Sequence, residues 1–152
     1  MNKKGFTLTE LLAVIAIISI ISLIAIPNIV NISENIKKDN MLNDAKRFIS
    51  LAKLMVNSNY DIRESNTATK FYINELNSNG DFNTEIINNE KKIIDKDGYY
   101  YDNSSYVEYN KSSGTAKYCI YLVGEKRHLA KTGESCIDEK DLSSREIVHD
   151  NN

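Results

Sequence analysis

The 152-residue chain has one proline, two cysteines and two histidines, and that scarcity removes several kinds of chemistry. His128 and His149 stand far from any HExxH spacing, so the paired imidazoles of a helical zinc protease are missing. The six glycines form no phosphate-cradling loop and no GxSxG elbow, which removes the usual nucleotide and hydrolase signatures. No constellation for an enzyme remains, and neither a cofactor nor a bound metal is expected. Basic excess is also lacking: 19 Lys and Arg face 21 Asp and Glu, a net charge of −2. The chain therefore has no clear nucleic-acid site. Cys119 and Cys136 fit neither a zinc knuckle nor a CxxC redox pair. If the domain lies outside the membrane they form one disulfide; otherwise they are two reduced, partly buried thiols. Internal repeats and low-complexity tracts are absent too.

Charge is missing in one place above all. Residues 11–30 contain no Asp, Glu, Lys or Arg, and twenty helical residues cover about 30 Å, the thickness of a bilayer core. Lys3 and Lys4 precede the run, which predicts a cytoplasmic N-terminus with the rest of the chain outside. A secretory signal peptide is the competitor, but a small-residue cleavage pattern would have to follow, and Pro27-Asn28-Ile29 stand there instead. The segment is thus expected to stay in the mature protein. Beyond it, Ile29, Ile32, Ile36, Leu42, Ala45, Ile49, Ala52 and Val56 recur at helical spacing, the stripe of an amphipathic helix. Asn57-Ser58-Asn59 should end that helix. Pro27 lies inside it, removes one backbone hydrogen bond and predicts a kink or a point of loosening.

The run opens with Lys3-Lys4-Gly5-Phe6-Thr7-Leu8-Thr9-Glu10. A glycine, an aromatic residue, an acid four residues later and a long apolar stretch resemble the class III signal of type IV prepilins and pseudopilins. The likeness is close over residues 3–30 and loose beyond. It implies that a prepilin peptidase cuts after Gly5 and methylates the new amino terminus at Phe6, and that the retained helix becomes a filament core. Glycine suits a cut site because a protease can approach its backbone closely. Loss of Lys3 and Lys4 takes the basic side chains from 19 to 17 against 21 acidic ones, a net of −4.

Glu10 admits three readings. Thr7-Leu8-Thr9-Glu10 fits the T-x-x-E capping box, with the carboxylate reaching back to the Thr7 amide. The acid could simply touch water at headgroup level. The third reading, to which the resemblance points, pairs Glu10 with the amino terminus of Phe6 on a neighbouring subunit. An acid within a membrane segment is costly and marks function; one buried charge pair also penalises every wrong register between sliding apolar helices.

After Asn59 the composition becomes mixed and polar. "FYINEL" suggests a short strand or helical turn at residues 71–76, stopped by Asn79-Gly80. "SSYVEY" and "AKYCIYLVGE" read as two strands of a hairpin with Gly114 in the turn. Pairing near residues 128–131 and 135–137 would complete a three- or four-stranded antiparallel sheet. Tyr99, Tyr100, Tyr101, Tyr106, Tyr109, Tyr118 and Tyr121 make a tyrosine-rich strip, read as sheet and loop packing, with an adhesive surface as the sharper alternative. Lys126-Arg127-His128 reads as a solvated basic patch. Asp138, Glu139 and Asp141 have no EF-hand spacing and read as a solvated loop rather than a calcium site. The tail "SREIVHDNN" should form a last helical turn or strand before a disordered end.

The expected fold is α+β, a long N-terminal helix on a small antiparallel sheet, which is also the architecture the resemblance implies. The expected divisions are a leader (1–5), a transmembrane and filament-core helix (6–30), the amphipathic half of that helix (31–58) and a globular head (59–152). The resemblance implies a structural subunit of a type IV pilus that supports adhesion, surface motility or aggregation. It would reside in the cytoplasmic membrane before assembly and in an extracellular filament afterwards. Implied partners are further copies of the chain in a helical filament, other pilins, the prepilin peptidase with its methyltransferase activity, the membrane, and an unidentified host or surface ligand. The alternatives are a minor pilin or a pseudopilin of a secretion or DNA-uptake apparatus, and then a membrane-anchored sensor or receptor domain.

Overall fold

A computed structural model describes residues 7–112 and 114–151, with the side chains of residues 24–28 outside the description. The chain divides into two units, Met1–Ile36 and Lys37–Asn152. In the first, the described residues are the cap and N-terminal part of helix α1 (Leu8–Ser58). The second contains the remainder of α1 and every buried core residue.

Within the second unit, α1 buries Met41, Leu42, Ala45, Phe48, Ile49, Ala52 and Val56. Steps of one, three and four keep these side chains on one face. Burial starts at Met41, so Ile29, Ile32 and Ile36, which continue the same spacing, stay exposed. The helix ends at Ser58, where Asn59 turns the chain and caps α2 (Tyr60–Glu64), its side-chain oxygen accepting from the amides of Asp61 and Ile62. The expected stop at residues 57–59 and this cap share one cause, since Asn satisfies amides that a helix start leaves open.

The main sheet is antiparallel, with strand order β1 (Thr69–Tyr72), β4 (Tyr106–Ser112), β5 (Thr115–Tyr121) and β7 (Ile137–Asp138). Its register aligns Phe71, Val107, Ile120 and Ile137 in one row across all four strands. All four are buried, so each strand contributes alternate residues to one core face. In β5 the core-facing residues are therefore Tyr118 and Ile120, and Leu122 just past the strand continues that set. The β4–β5 hairpin closes with Gly114 at φ +79°, the left-handed conformation that glycine adopts without a Cβ clash. Residues 71–76 are both things expected of them: strand β1 runs directly into a helical turn, α3 (Ile73–Leu76).

Two features depart from the sequence reading. The polar stretch before residue 98 contains a second hairpin, β2 (Thr84–Ile87) with β3 (Glu90–Ile93). Asn88 and Asn89 form its two-residue turn at φ +52° and +64°, a conformation asparagine tolerates better than most residues. The region expected to pair near residues 128–131 also does not extend the main sheet. Strand β6 (Arg127–Leu129) pairs instead with β8 (Val148–Asp150), which follows a 3₁₀ turn at Arg145–Ile147. The tail thus forms both the helical turn and the strand expected of it.

Candidate functional site

Helix α1 begins with reciprocal hydrogen bonds. The Thr7 amide donates to Glu10 Oε2 at 2.9 Å, and the Glu10 amide donates to Thr7 Oγ1 at 3.3 Å. The Thr7 hydroxyl also donates to Glu10 Oε2, at 2.8 Å. This is a closed capping box, which satisfies two of the amides that every helix start leaves open. It also holds a carboxylate at the positive end of the helix dipole. Within the single chain, Glu10 is an exposed acid engaged by Thr7.

The apolar surface that follows is open all round. Leu11, Leu12, Val14, Ile15, Ile17, Ile18, Ile20 and Ile21 are all exposed, and those positions sweep more than one helical face. A helix apolar on every side belongs in apolar surroundings. Two of its polar side chains are turned inward: the hydroxyls of Ser19 and Ser22 donate to the carbonyls of Ile15 and Ile18 at 2.7 and 2.8 Å, which satisfies both donors within the helix. Among the described residues no helix is long and apolar enough to cross a membrane. Residues 24–28, part of the uncharged run 11–30, lie outside the described side chains. Gly5, Phe6 and the side chain of Pro27, the expected cut, methylation and kink positions, also lie outside the described residues.

In the second unit Cys119 and Cys136 are joined by a disulfide with Cα atoms 5.5 Å apart. It ties β5 to the segment entering β7. The acidic run does not converge. Asp138 meets Lys140 at 3.2 Å, Glu139 meets Lys53, and Asp141 meets Lys131 at 2.7 Å. Among the described residues no group of three or more His, Cys, Asp or Glu is arranged to hold a metal ion. Lys126, Arg127 and His128 do not act as one basic patch either. Lys126 lies over the Tyr99 ring, Arg127 pairs with Asp150 at 2.9 Å, and His128 meets Asn151.

The tyrosine strip splits into different roles. Tyr101 and Tyr109 are buried; their hydroxyls donate to Asp44 Oδ2 and to the Arg63 carbonyl, both at 2.9 Å. Tyr106 and Tyr121 stack on each other across β4 and β5, with Lys70 over the Tyr106 ring. Packing therefore accounts for these rings. Sequence reasoning missed Asp44, which sits among apolar residues on the buried face of α1. Burial raises its carboxyl above the ordinary range, against the Tyr101 hydrogen bond and the nearby Arg47 charge. Burial likewise pushes the Tyr101 phenol well up. The missed signal was an acid at a core-facing position, three residues after Met41 and four before Phe48.

Residues 1–26 match the model of the prokaryotic N-terminal methylation motif, the class III signal of type IV pilins and pseudopilins. The matched stretch contains Gly5, Phe6, Thr7 and Glu10 and most of the apolar run. The motif supports a type IV pilin-like or pseudopilin protein; it implies processing by a prepilin peptidase and assembly with other pilins. No curated protein and no solved structure matches the chain.

Proposed function

We propose that the chain is a structural subunit of a type IV pilus. In this reading the prepilin peptidase cuts after Gly5 and methylates Phe6. Residues 11–30 hold the subunit in the cytoplasmic membrane until it is extracted into an extracellular filament of its own copies. The filament then serves adhesion, surface motility or aggregation. The observation that carries the reading is the exposed, all-round apolar helix surface behind Glu10, inside the methylation motif. Such a surface is stable only in lipid or against other apolar helices, and a filament core supplies the second when the first is left behind.

Glu10 has a role in both states. Before assembly it caps its own helix through Thr7. In the filament it exchanges that partner for the methylated amine of Phe6 on a neighbouring subunit, which sets the register between otherwise featureless helices. Mass spectrometry of the mature protein tests the first step: the expected N-terminus is a methylated Phe6, and a retained leader would sink the reading. Labelling intact filaments tests the second. Signal along the shaft is expected, whereas signal confined to the tip would make this a minor pilin.

A further inference from the structure

Three surface hollows of about 400, 430 and 440 Å³ adjoin one another along the segment that follows β6. Ala130 lines all three. Thr132 and His149 are shared by the first and second, and His128 by the second and third. The hollows therefore join as one groove, from Ser143 and Ser144 at one end to Tyr106 and Tyr121 at the other. Each part falls within the roughly 300–1,000 Å³ of ordinary ligand clefts.

The lining changes along its length. One end is aromatic and apolar: Tyr106 and Tyr121, stacked with centroids 5.4 Å apart, form a wall together with Val123, Leu129 and Ile137. In the middle stand the near-parallel rings of His128 and His149, direct register partners on β6 and β8. The other end presents the hydroxyls of Thr132, Ser143 and Ser144, groups that both donate and accept. The ions of the groove cancel. Lys131 pairs with Glu134 and Asp141 at 2.9 and 2.7 Å, Lys140 with Asp138 at 3.2 Å, and Asp150 with Arg127 at 2.9 Å.

From this lining we infer that the groove binds a neutral oligosaccharide. A sugar ring has an apolar C–H face and a polar rim, which matches a tyrosine with its apolar body and polar tip. Sugar hydroxyls donate and accept at once, as do the hydroxyls of Thr132 and Ser143 at the other end. A nucleic acid or a strongly charged peptide would need an uncompensated field of opposite sign, and the paired ions offer little of one. Three joined hollows suit several linked sugar units better than a single one. The inference gives the adhesion reading a ligand class. It rests on the second unit alone, so its failure would leave the methylated Phe6 and the filament standing.

Titration of the full-length, tag-free chain with chitotriose, maltotriose and lacto-N-tetraose, in a detergent without a sugar headgroup, tests the groove through the ring-proton resonances of its tyrosines and histidines. At least one of these neutral sugars should shift Tyr121 and His128 together on a single saturation curve. Sialyllactose and a heparin hexasaccharide should bind at least tenfold more weakly. Tyr121→Leu should weaken the binding of the neutral sugar at least tenfold. No shift with any of the neutral sugars, shifts that miss both rings, or equal or tighter binding of a charged sugar would overturn the inference on the unaltered protein, even if the variant failed to fold.

Discussion

Tyr101 donates to Asp44 at 2.9 Å inside the core, and both side chains are buried. Tyr101→Phe removes the donor and leaves a buried carboxylate short of a partner, at a cost of about 1–3 kcal/mol. The expected readout is a lower urea midpoint with an unchanged slope. The pH dependence at this residue has a definite sign. Burial raises the Asp44 carboxyl in the folded state, so its contribution is complete below the unfolded value of about 3.9 and is lost as pH rises through the folded value. Asp44→Asn should therefore gain on the wild type between pH 4 and pH 7. Asp39 behaves in the opposite way, because the Arg145 guanidinium, donating at 2.6 and 2.7 Å, lowers its carboxyl. Its contribution is present above the unfolded value and is lost as pH falls through the folded value. Asp39→Asn should flatten the loss of stability on acidification, measured by urea unfolding from pH 2 to 6.

At the scale of elements, α1 carries two different surfaces on one helix. Its buried positions from Met41 onward contribute the core, where Phe48 stacks on Phe82 with centroids 4.2 Å apart. Phe48→Ala should cost about 3–5 kcal/mol through lost burial and the cavity left behind. The start of α1 separates two roles for Glu10. If the acid served only as a cap, Thr7→Val and Glu10→Ala would impair filaments equally. The expected result is a strong loss of assembly in Glu10→Ala and Glu10→Gln and a mild one in Thr7→Val, counted as filaments per cell. The β2–β3 turn belongs to this scale too. Asn88 and Asn89 both hold positive φ, and a β-branched residue at Asn89 would strain the turn.

For the whole molecule, every buried core residue falls between Met41 and Val148. A chain beginning at residue 29 should thus keep a cooperative unfolding transition and remain monomeric, while the full chain requires detergent; analytical ultracentrifugation separates the two. The disulfide acts at this scale because it closes a segment of separation 17. Replacing both cysteines by Ser should lower stability by about 3 kcal/mol on the loop-entropy account, read from denaturant curves under non-reducing conditions.

Features that depend on neighbours along the chain were legible in the amino-acid order. Gly5, Phe6 and Glu10 ahead of an uncharged run are a local pattern, and so are the helix stop at residues 57–59, the T-x-x-E cap and the hairpin around Gly114. Each follows from spacing, side-chain reach or a required φ. Features that depend on partners distant in sequence emerged with the folded packing. Asp44 gains its donor, Tyr101, from 57 residues further along the chain. Arg127–Leu129 has strand character, but its choice of the chain's last strand over the main sheet rests on packing. The Asn-Asn turn was visible as two residues between β-prone runs, yet those runs are short and charged, and their weak alternation concealed the hairpin. The two histidines meet because register places His128 opposite His149, and register is set by which residues a whole sheet buries.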